Sequence, residues 1–400
     1  MSENAVRLKT VARNPVVKSD GLERPFIALE DIESGTARLL VDEPTLKAAD
    51  DSVCYEPGDV LFSKLRPYLA KSYLAEQFGT ATSELMVLRP GQMVEPRFLL
   101  YVTSSRPWIE WAVATSYGSK MPRTSWEAMA EYRLWLPSIE EQRRIADFLD
   151  RETDRSQHLL KLRERQLAGA RERYRAQLVT TMLPLEEQCH RLRLKYLFDF
   201  SRSGVWGDDP TGSRDDVVCV RVADFDRFRF KAGRNASTLR AVEWAQFASR
   251  KLRFGDVLLE KSGGGEKSPV GFAVNFDGDA PSVCSNFVGQ LRPARENNAR
   301  YVGLLMAALY ASGRNVPYIK QTTGIQNLDG PGYLSQEVEV PSCREQKATA
   351  KSLDKMLDSL QGYSAAVGRQ VACLQERRQA LITAAVTGQI DVTTTRGADV

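Results

Sequence analysis

The sequence predicts an α+β chain built twice. Two similar mixed domains each precede a long helix, and the helices pair as an antiparallel coiled coil about an internal pseudo-twofold axis. Three observations carry this. A helix start is written twice, short motifs recur in the same order in both halves, and the last helix has a coiled-coil seam.

The repeated helix start comes first. LPSIEEQRRIADFLDRETD spans Leu136–Asp154 and VPSCREQKATAKSLDKMLD spans Val340–Asp358. Pro137 answers Pro341, Glu141 answers Glu345, Gln142 answers Gln346 and Asp150 answers Asp354, always 204 positions apart without a gap. Proline ahead of glutamates marks a helix start and suits the helix dipole.

The domains repeat as well, and self-similarity at a long period decides architecture. RLK at Arg7–Lys9 returns at Arg193–Lys195, and GDVL at Gly58–Leu61 returns at Gly255–Leu258, each GDVL followed by a lysine, Lys64 and Lys261. TSELMVLRP at Thr82–Pro90 is answered by CSNFVGQLRP at Cys284–Pro293. ELMVLRP and DVLLEK read as short strands bounded by Gly, Pro and Asp. RFLLYVTSS and YVGLLMAALY have helical spacing. The expected layout is a first domain at 1–136, a long helix at 137–184, a second domain at 185–340, a long helix at 341–390 and a tail at 391–400.

In alternating steps of four and three, the second helix presents Leu353, Leu357, Leu360, Ser364, Val367, Val371, Leu374, Arg378 and Leu381. That is a coiled-coil seam rather than a broad surface stripe. The same register gives Leu149, Thr153, Ser156, Leu160, Arg163, Leu167, Ala170, Tyr174 and Gln177 in the first helix, a poorer seam whose pairing positions are Leu149, Leu160, Leu167 and Tyr174. Each helix needs a partner for this stripe, and the other helix supplies it. The charge-rich RERQLAGARERYR, Arg163–Arg175, reads as a solvated helix face.

Composition narrows the function. A chain of 400 residues splits into more than one core. Its net charge of +4 permits nucleic-acid binding without demanding it. No apolar run is long enough to span a membrane. The opening MSENAVRLKT lacks the apolar core of a signal peptide, so the chain is expected in the cytoplasm. Cys54, Cys189, Cys219, Cys284, Cys343 and Cys373 are scattered without a C-x-x-C pair, and read as free thiols rather than a metal site. His158 and His190 lie in charged helical surroundings and read as surface residues.

These motifs resemble the specificity (S) subunit of type I restriction–modification systems. The resemblance rests on LPSIEEQRRIADFLD, VPSCREQKATAKSLD, GDVLFSKLRP, GDVLLEKSGGGEKSPVGFAV, CSNFVGQLRP and the closing ERRQALITAAVTGQI, and it covers nearly the whole chain. The first helix ends instead at VTTMLPLEEQ, without the closing Thr-Gly. The resemblance implies two target-recognition domains on double-stranded DNA, each reading half of a split, asymmetric sequence. The paired helices then set the unspecified gap. It further implies two methyltransferase subunits docked on the helices and two motor–nuclease subunits, with S-adenosylmethionine, ATP and Mg on those partners and none bound by this chain.

Catalytic motifs point the same way. The sequence has no Asn/Asp-Pro-Pro-aromatic tetrapeptide and no G-x-x-x-x-G-K-[ST] loop. GGGEKS at Gly263–Ser268 reads as a flexible loop able to approach DNA. No catalytic residue and no metal ligand is expected.

The candidate DNA contacts are polar and basic residues near the repeated loops. In the first domain these are Lys64, Arg66, Tyr68, Lys71, Ser119, Lys120 and Arg123. In the second they are Lys261, Ser262, Lys267, Lys320, Gln321, Thr323, Gln326 and Asn327. Lys and Arg suit phosphate oxygens and guanine, and Gln and Asn suit adenine. The loops YGSKMPR (Tyr117–Arg123) and TTGIQN (Thr322–Asn327) occupy equivalent places ahead of the long helices. Two alternatives stand beside this reading: the specificity part of a type IIB-like restriction enzyme, and a coiled-coil adaptor that does not bind DNA.

Overall fold

The structure is a computed structural model that describes residues 5–48, 51–183, 190–213, 216–322 and 324–392. The chain divides into two units. Unit 1 comprises residues 1–164 and 368–400, and unit 2 comprises residues 165–367.

Unit 1 is built on a four-stranded antiparallel sheet in the order Ala12–Arg13, Leu85–Pro90, Val60–Ser63, Ser72–Leu74. The corresponding strands of unit 2 run Phe198–Ser203, Val288–Pro293, Val257–Glu260, Ala273–Phe276, with Lys231–Ala232 added at the edge. GDVL and LRP therefore supply the two central strands in each unit, which is why they read as apolar runs. Val60, Leu61, Val257 and Leu258 are all fully buried.

The motifs shared by the halves lie inside. In GDVL the aspartate is buried and receives a two-pronged hydrogen bond from the arginine of LRP. Arg89 reaches Asp59 at 2.8 and 2.7 Å, and Arg292 reaches Asp256 at 2.8 and 2.8 Å. A buried carboxylate needs such a partner, and guanidinium matches it with two parallel bonds. In RLK the leucine is buried. The amide of Leu8 donates to the Tyr132 carbonyl and that of Leu194 to the Gln336 carbonyl, both at 2.9 Å. These contacts pair the first strand of each unit, Ala5–Arg7 or His190–Arg193, with the strand just before the long helix, Arg133–Trp135 or Glu337–Val340.

The repeated helix start has the same explanation. The two long helices span Ile139–Met182 and Cys343–Val386, 44 residues each. Gln142 is fully buried. Its Oε1 accepts from the Glu95 amide, and its Nε2 donates to the carbonyls of Met93 and Pro137, all at 2.9 Å. Gln346 does likewise. It accepts from the Asn298 amide at 2.8 Å and donates to Asn297 Oδ1 at 3.1 Å and the Pro341 carbonyl at 3.0 Å. Each glutamine ties a helix start to the turn ahead of a domain helix, Pro96–Ser104 or Ala299–Ala311. About two turns on, Asp150 receives Arg97 at 2.7 Å and Asp354 receives Arg300 at 2.7 Å. Ser138 and Ser342 cap the helices, and Glu345 completes a capping box with Ser342.

Each unit holds the start of one long helix beside the end of the other. In unit 1, Ile145, Phe148 and Leu149 share a core with Ile382, Ala385 and Val386. In unit 2, Tyr174, Leu178 and Met182 share a core with Leu353, Leu357 and Leu360. The helices therefore run in opposite directions. Leu149, Leu160, Tyr174, Leu353, Leu357, Leu360 and Val367 are buried, while Leu167, Val371, Leu374 and Leu381 are half-buried. One correction follows. The outer seam positions, Leu149 and Tyr174 to Leu360, do not serve helix pairing alone, because they complete the domain cores as well.

The closing AVTG ends the second helix. Ala385 and Val386 are buried, and the Gln389 amide returns to the Ala384 carbonyl at 2.9 Å. Gly388 has φ +72°, and a Cβ there would lie 3.0 Å from the Trp135 ring. Left-handed backbone in so tight a space selects glycine.

Among the described residues, no helix is long and apolar enough to cross a membrane. Cys54, Cys219, Cys284, Cys343 and Cys373 are free thiols, and Cys189 lies outside the described residues. His158 is exposed.

Candidate nucleic-acid interface

In each unit the lysine after GDVL leaves the central strand on a fixed backbone frame. The Lys64 amide donates to the Glu84 carbonyl at 2.9 Å, and its own carbonyl accepts from the Thr124 amide at 3.0 Å. In unit 2 the Lys261 amide donates to the Phe287 carbonyl and its carbonyl accepts from the Leu328 amide, both at 2.8 Å. The frame joins three segments: the post-lysine loop, the turn before the LRP strand, and the hairpin that precedes the long helix.

In unit 1 this assembles most of the expected contacts. The Arg66 amide donates to the Pro122 carbonyl at 2.7 Å. Tyr117 and Arg123 exchange backbone hydrogen bonds at 3.0 and 2.9 Å, so Ser119 and Lys120 stand exposed at a hairpin tip. Arg66 and Tyr68 are exposed beside them. Arg123 is held by Glu84 Oε1 at 2.5 Å. Partial burial lowers the Lys64 pKa below the ordinary lysine value; Glu84 opposes this and Arg123 adds to it. Lys71 is a correction. Its ammonium donates to the Leu29 carbonyl at 2.8 Å, which fixes the loop instead of presenting a free charge.

Unit 2 departs further from the expectation. Lys261 donates to Ser203 Oγ at 2.7 Å, and burial lowers its pKa. Ser262 Oγ donates to Asn327 Oδ1 at 2.6 Å, so these two engage each other. Gln326 is buried and its Oε1 accepts from the Val270 amide at 3.1 Å, so it serves as structure and not as a base contact. The hairpin of Ile319–Thr322 with Ile325–Leu328 alternates its faces, which turns Gln326 inward. Lys267 is exposed at the Gly265–Ser268 turn and Gln321 is exposed on the hairpin, while Lys320 pairs with Asp329 at 2.9 Å. Thr323 lies outside the described residues.

The structure adds residues that the sequence reading missed. Trp206, Arg221, Asn286 and Phe287 surround a cleft of about 600 Å³ beside Ser262 and Gly263. The Arg240 guanidinium stacks on Trp206 at 4.1 Å, and Phe287 is 54% exposed. In unit 1 the cleft beside Lys64 is about 320 Å³ and takes Asn14, Val16, Lys18 and Ser83. Phe287 and Glu84 hold the same place in the shared frame, so one unit puts a ring where the other puts a carboxylate. Both lie in the repeated TSELMVLRP and CSNFVGQLRP stretches, where an apolar residue interrupting a polar turn was the available signal.

A paired set of lysine-led loops with basic and aromatic side chains, on two copies of one α+β frame, defines a nucleic-acid-reading scaffold. Comparison with known proteins adds a family match over part of the chain and a likeness of fold over the rest. Residues 52–167 match the type I restriction modification DNA specificity domain. Two solved structures share the fold over almost the full chain. One was described under "Structural basis underlying complex assembly and conformational transition of the type I R-M system". It has 18% identity and a TM-score of 0.77, with 96% of this chain and 98% of that chain covered. The other is the HsdS subunit from Thermoanaerobacter tengcongensis, with 17% identity, a TM-score of 0.54 and 98% of each chain covered. Comparison with curated proteins finds no match. The resemblance read in the motifs therefore holds. At residues 52–167 the chain carries a type I restriction–modification DNA specificity domain, a domain of DNA sequence recognition, and its fold is that of the two solved structures.

Proposed function

We propose that this chain reads a bipartite, asymmetric DNA target for a type I complex, one half through residues 1–136 and the other through residues 185–340. The two long helices act as the spacer, and the tail at 391–400 lies beyond them. The observation that carries the proposal is the shared frame at Lys64 and Lys261 with different side chains mounted on it. Equal frames favour equal docking on two stretches of duplex, while unequal side chains favour unequal sequences.

In unit 1 the reading residues are Lys64, Arg66, Tyr68, Ser119, Lys120 and Arg123. In unit 2 they are Lys261, Lys267, Lys320, Gln321 and the pair Ser262–Asn327, joined by Trp206, Arg221, Asn286 and Phe287. The chain performs no catalysis in this reading. Two methyltransferase subunits dock along the helices, whose internal repeat offers two equivalent surfaces, and two motor–nuclease subunits join for cleavage.

Methylation mapping tests the proposal. The chain is expressed with the methyltransferase encoded beside it in a methylation-free host, and N6-methyladenine is mapped across the genome. Two defined half-sites at a fixed gap are expected. A single undivided motif refutes the two-reader model, and a stable complex that leaves DNA unmethylated favours the adaptor reading.

A further inference from the structure

Unit 2 has a second basic feature, away from the loops described above. A cleft of about 270 Å³ opens between the first long helix and the sheet domain. Arg171, Arg175 and Arg227 line it, with Tyr174, Phe228 and Phe230 forming its apolar wall. Arg171 and Arg175 are exposed, and the Arg171 guanidinium sits 5.7 Å from the Phe228 ring. Tyr174 is only 6% exposed, and its hydroxyl has no hydrogen-bond partner among the described residues. Glu260 receives Arg227 at 3.2 Å, while nearby Asp354 is taken by Arg300 and Asp226 by the Phe228 and Arg229 amides. The charged side chains that line the cleft itself are all arginines, and among the described residues only Arg227 has a carboxylate bonded to it here.

The Arg227–Glu260 pair links the cleft to the reading loops. Glu260 precedes Lys261 and also borders the Trp206–Phe287 cleft. Tyr310, beside Arg227, donates to the Pro269 carbonyl at 3.0 Å and so anchors the loop that carries Lys267. Among its described residues unit 1 has no matching site. At the positions 204 residues on, it has Gln375 and Gln379, and Arg378 replaces Tyr174. There Gln379 donates to the Ser104 carbonyl at 2.9 Å and Arg378 to the Thr36 carbonyl at 3.0 Å.

We infer that Arg171, Arg175 and Arg227 form a phosphate-binding site for the DNA backbone, present on the second reader only. The inference rests on the DNA-reading function proposed above. Guanidinium groups match phosphate oxygens, and the apolar wall limits competition from water. The site binds whatever sequence lies there, because phosphate contacts position a duplex without reading it. The arginine-rich stretch Arg163–Arg175 is thus not wholly a solvated face.

The test is the salt dependence of DNA binding by the full chain assembled with its methyltransferase partner, using a 40-bp duplex of arbitrary sequence. The variant R171Q/R175Q installs the glutamines of unit 1. Each lost phosphate contact lowers the slope of log K against log salt by about 0.9, so a fall of about 0.9–1.8 is expected. Affinity then falls roughly 5- to 25-fold at about 0.15 M salt. The methylated motif and the mass of the complex stay unchanged. Arg173, exposed but outside the cleft, is the control, and R173Q leaves the slope in place. An unchanged slope in the double variant overturns the inference, as does an equal change in R173Q. Loss of the methyltransferase subunit from the complex also overturns it, because the arginines would then meet an acidic protein face. Failure of the underlying reading shows separately, as a wild-type complex that yields no split motif.

Discussion

Replacing Gln346 by alanine should loosen unit 2 at one identifiable place. The side chain is 2% exposed and makes three hydrogen bonds, with the Asn298 amide, Asn297 Oδ1 and the Pro341 carbonyl. Alanine leaves the Asn298 amide and the Pro341 carbonyl buried without their partner. An orphaned buried polar group costs about 1–3 kcal/mol, so the sum is about 2–6 kcal/mol before water enters the gap. Asn298 is also the N-cap of helix Ala299–Ala311, its Oδ1 accepting from the Tyr301 amide at 2.9 Å, so the loss is felt at that helix start. A net loss of about 3 kcal/mol raises local opening by roughly a hundredfold. Amide hydrogen exchange reads this segment by segment, which suits a two-unit chain better than a single unfolding curve. Amides at 297–306 should exchange roughly a hundredfold faster, with those at 93–104 unchanged. Q142A should show the mirror pattern. A change below about 0.5 kcal/mol, or loosening of both units by one substitution, would refute the reasoning.

Four further outcomes follow. D256N removes the charge that holds Arg292 and should destabilise unit 2 by about 3–5 kcal/mol, read as lowered denaturant resistance of unit 2 amides. K120A with R66A should change or weaken one half-site in methylation mapping, and K267A with Q321A the other. Equal loss at both halves counts against separate readers. Burial raises the Glu260 pKa above its unfolded value near 4.5, so the folded form binds the proton more tightly and stability falls as pH rises from about 4.5 through the folded value. E260Q should flatten that fall in unit 2, and an unaltered pH profile would exclude Glu260 as its source. Burial pushes the thiols of Cys219 to about 11 and Cys284 to about 12, whereas Cys373 is exposed. A thiol reagent at pH 8 should label Cys373 at once and these two only on unfolding, as peptide mapping would show.

The legible part of the fold was the part written twice. Repeated residues proved to be buried ones with a second member nearby. Asp59 and Asp256 find Arg89 and Arg292, and Gln142 and Gln346 find the turns before the domain helices. Sequence spacing located each partner without saying that they meet, since pairing depends on how strands adjoin in the sheet. The candidate site was legible only in outline. Lys71, Gln326, Ser262 and Asn327 have the right polar chemistry, but a lysine head bonded to a carbonyl and an amide bonded to a backbone N–H look the same in sequence as free ones. Trp206 and Phe287 lack the polar or basic heads that mark a candidate DNA contact in sequence.

The same division bears on why the target should be asymmetric. Residues that recur in the same order maintain the frame, and both units need the same frame. Where the frame meets open space, recurrence stops. Glu84, tied to Arg123, stands where Phe287 stands free, and Tyr174 with its flanking arginines stands where Arg378 and two glutamines do. A carboxylate–guanidinium pair can accept from a cytosine amino group or donate to guanine, while a bare ring favours thymine methyl contact or stacking. Under the proposed function, two units with one backbone and such different fittings are expected to prefer different half-sites. Placing glutamate at position 287 should therefore alter the second half-site alone, and a motif unchanged by F287E would mean that this turn does not face DNA.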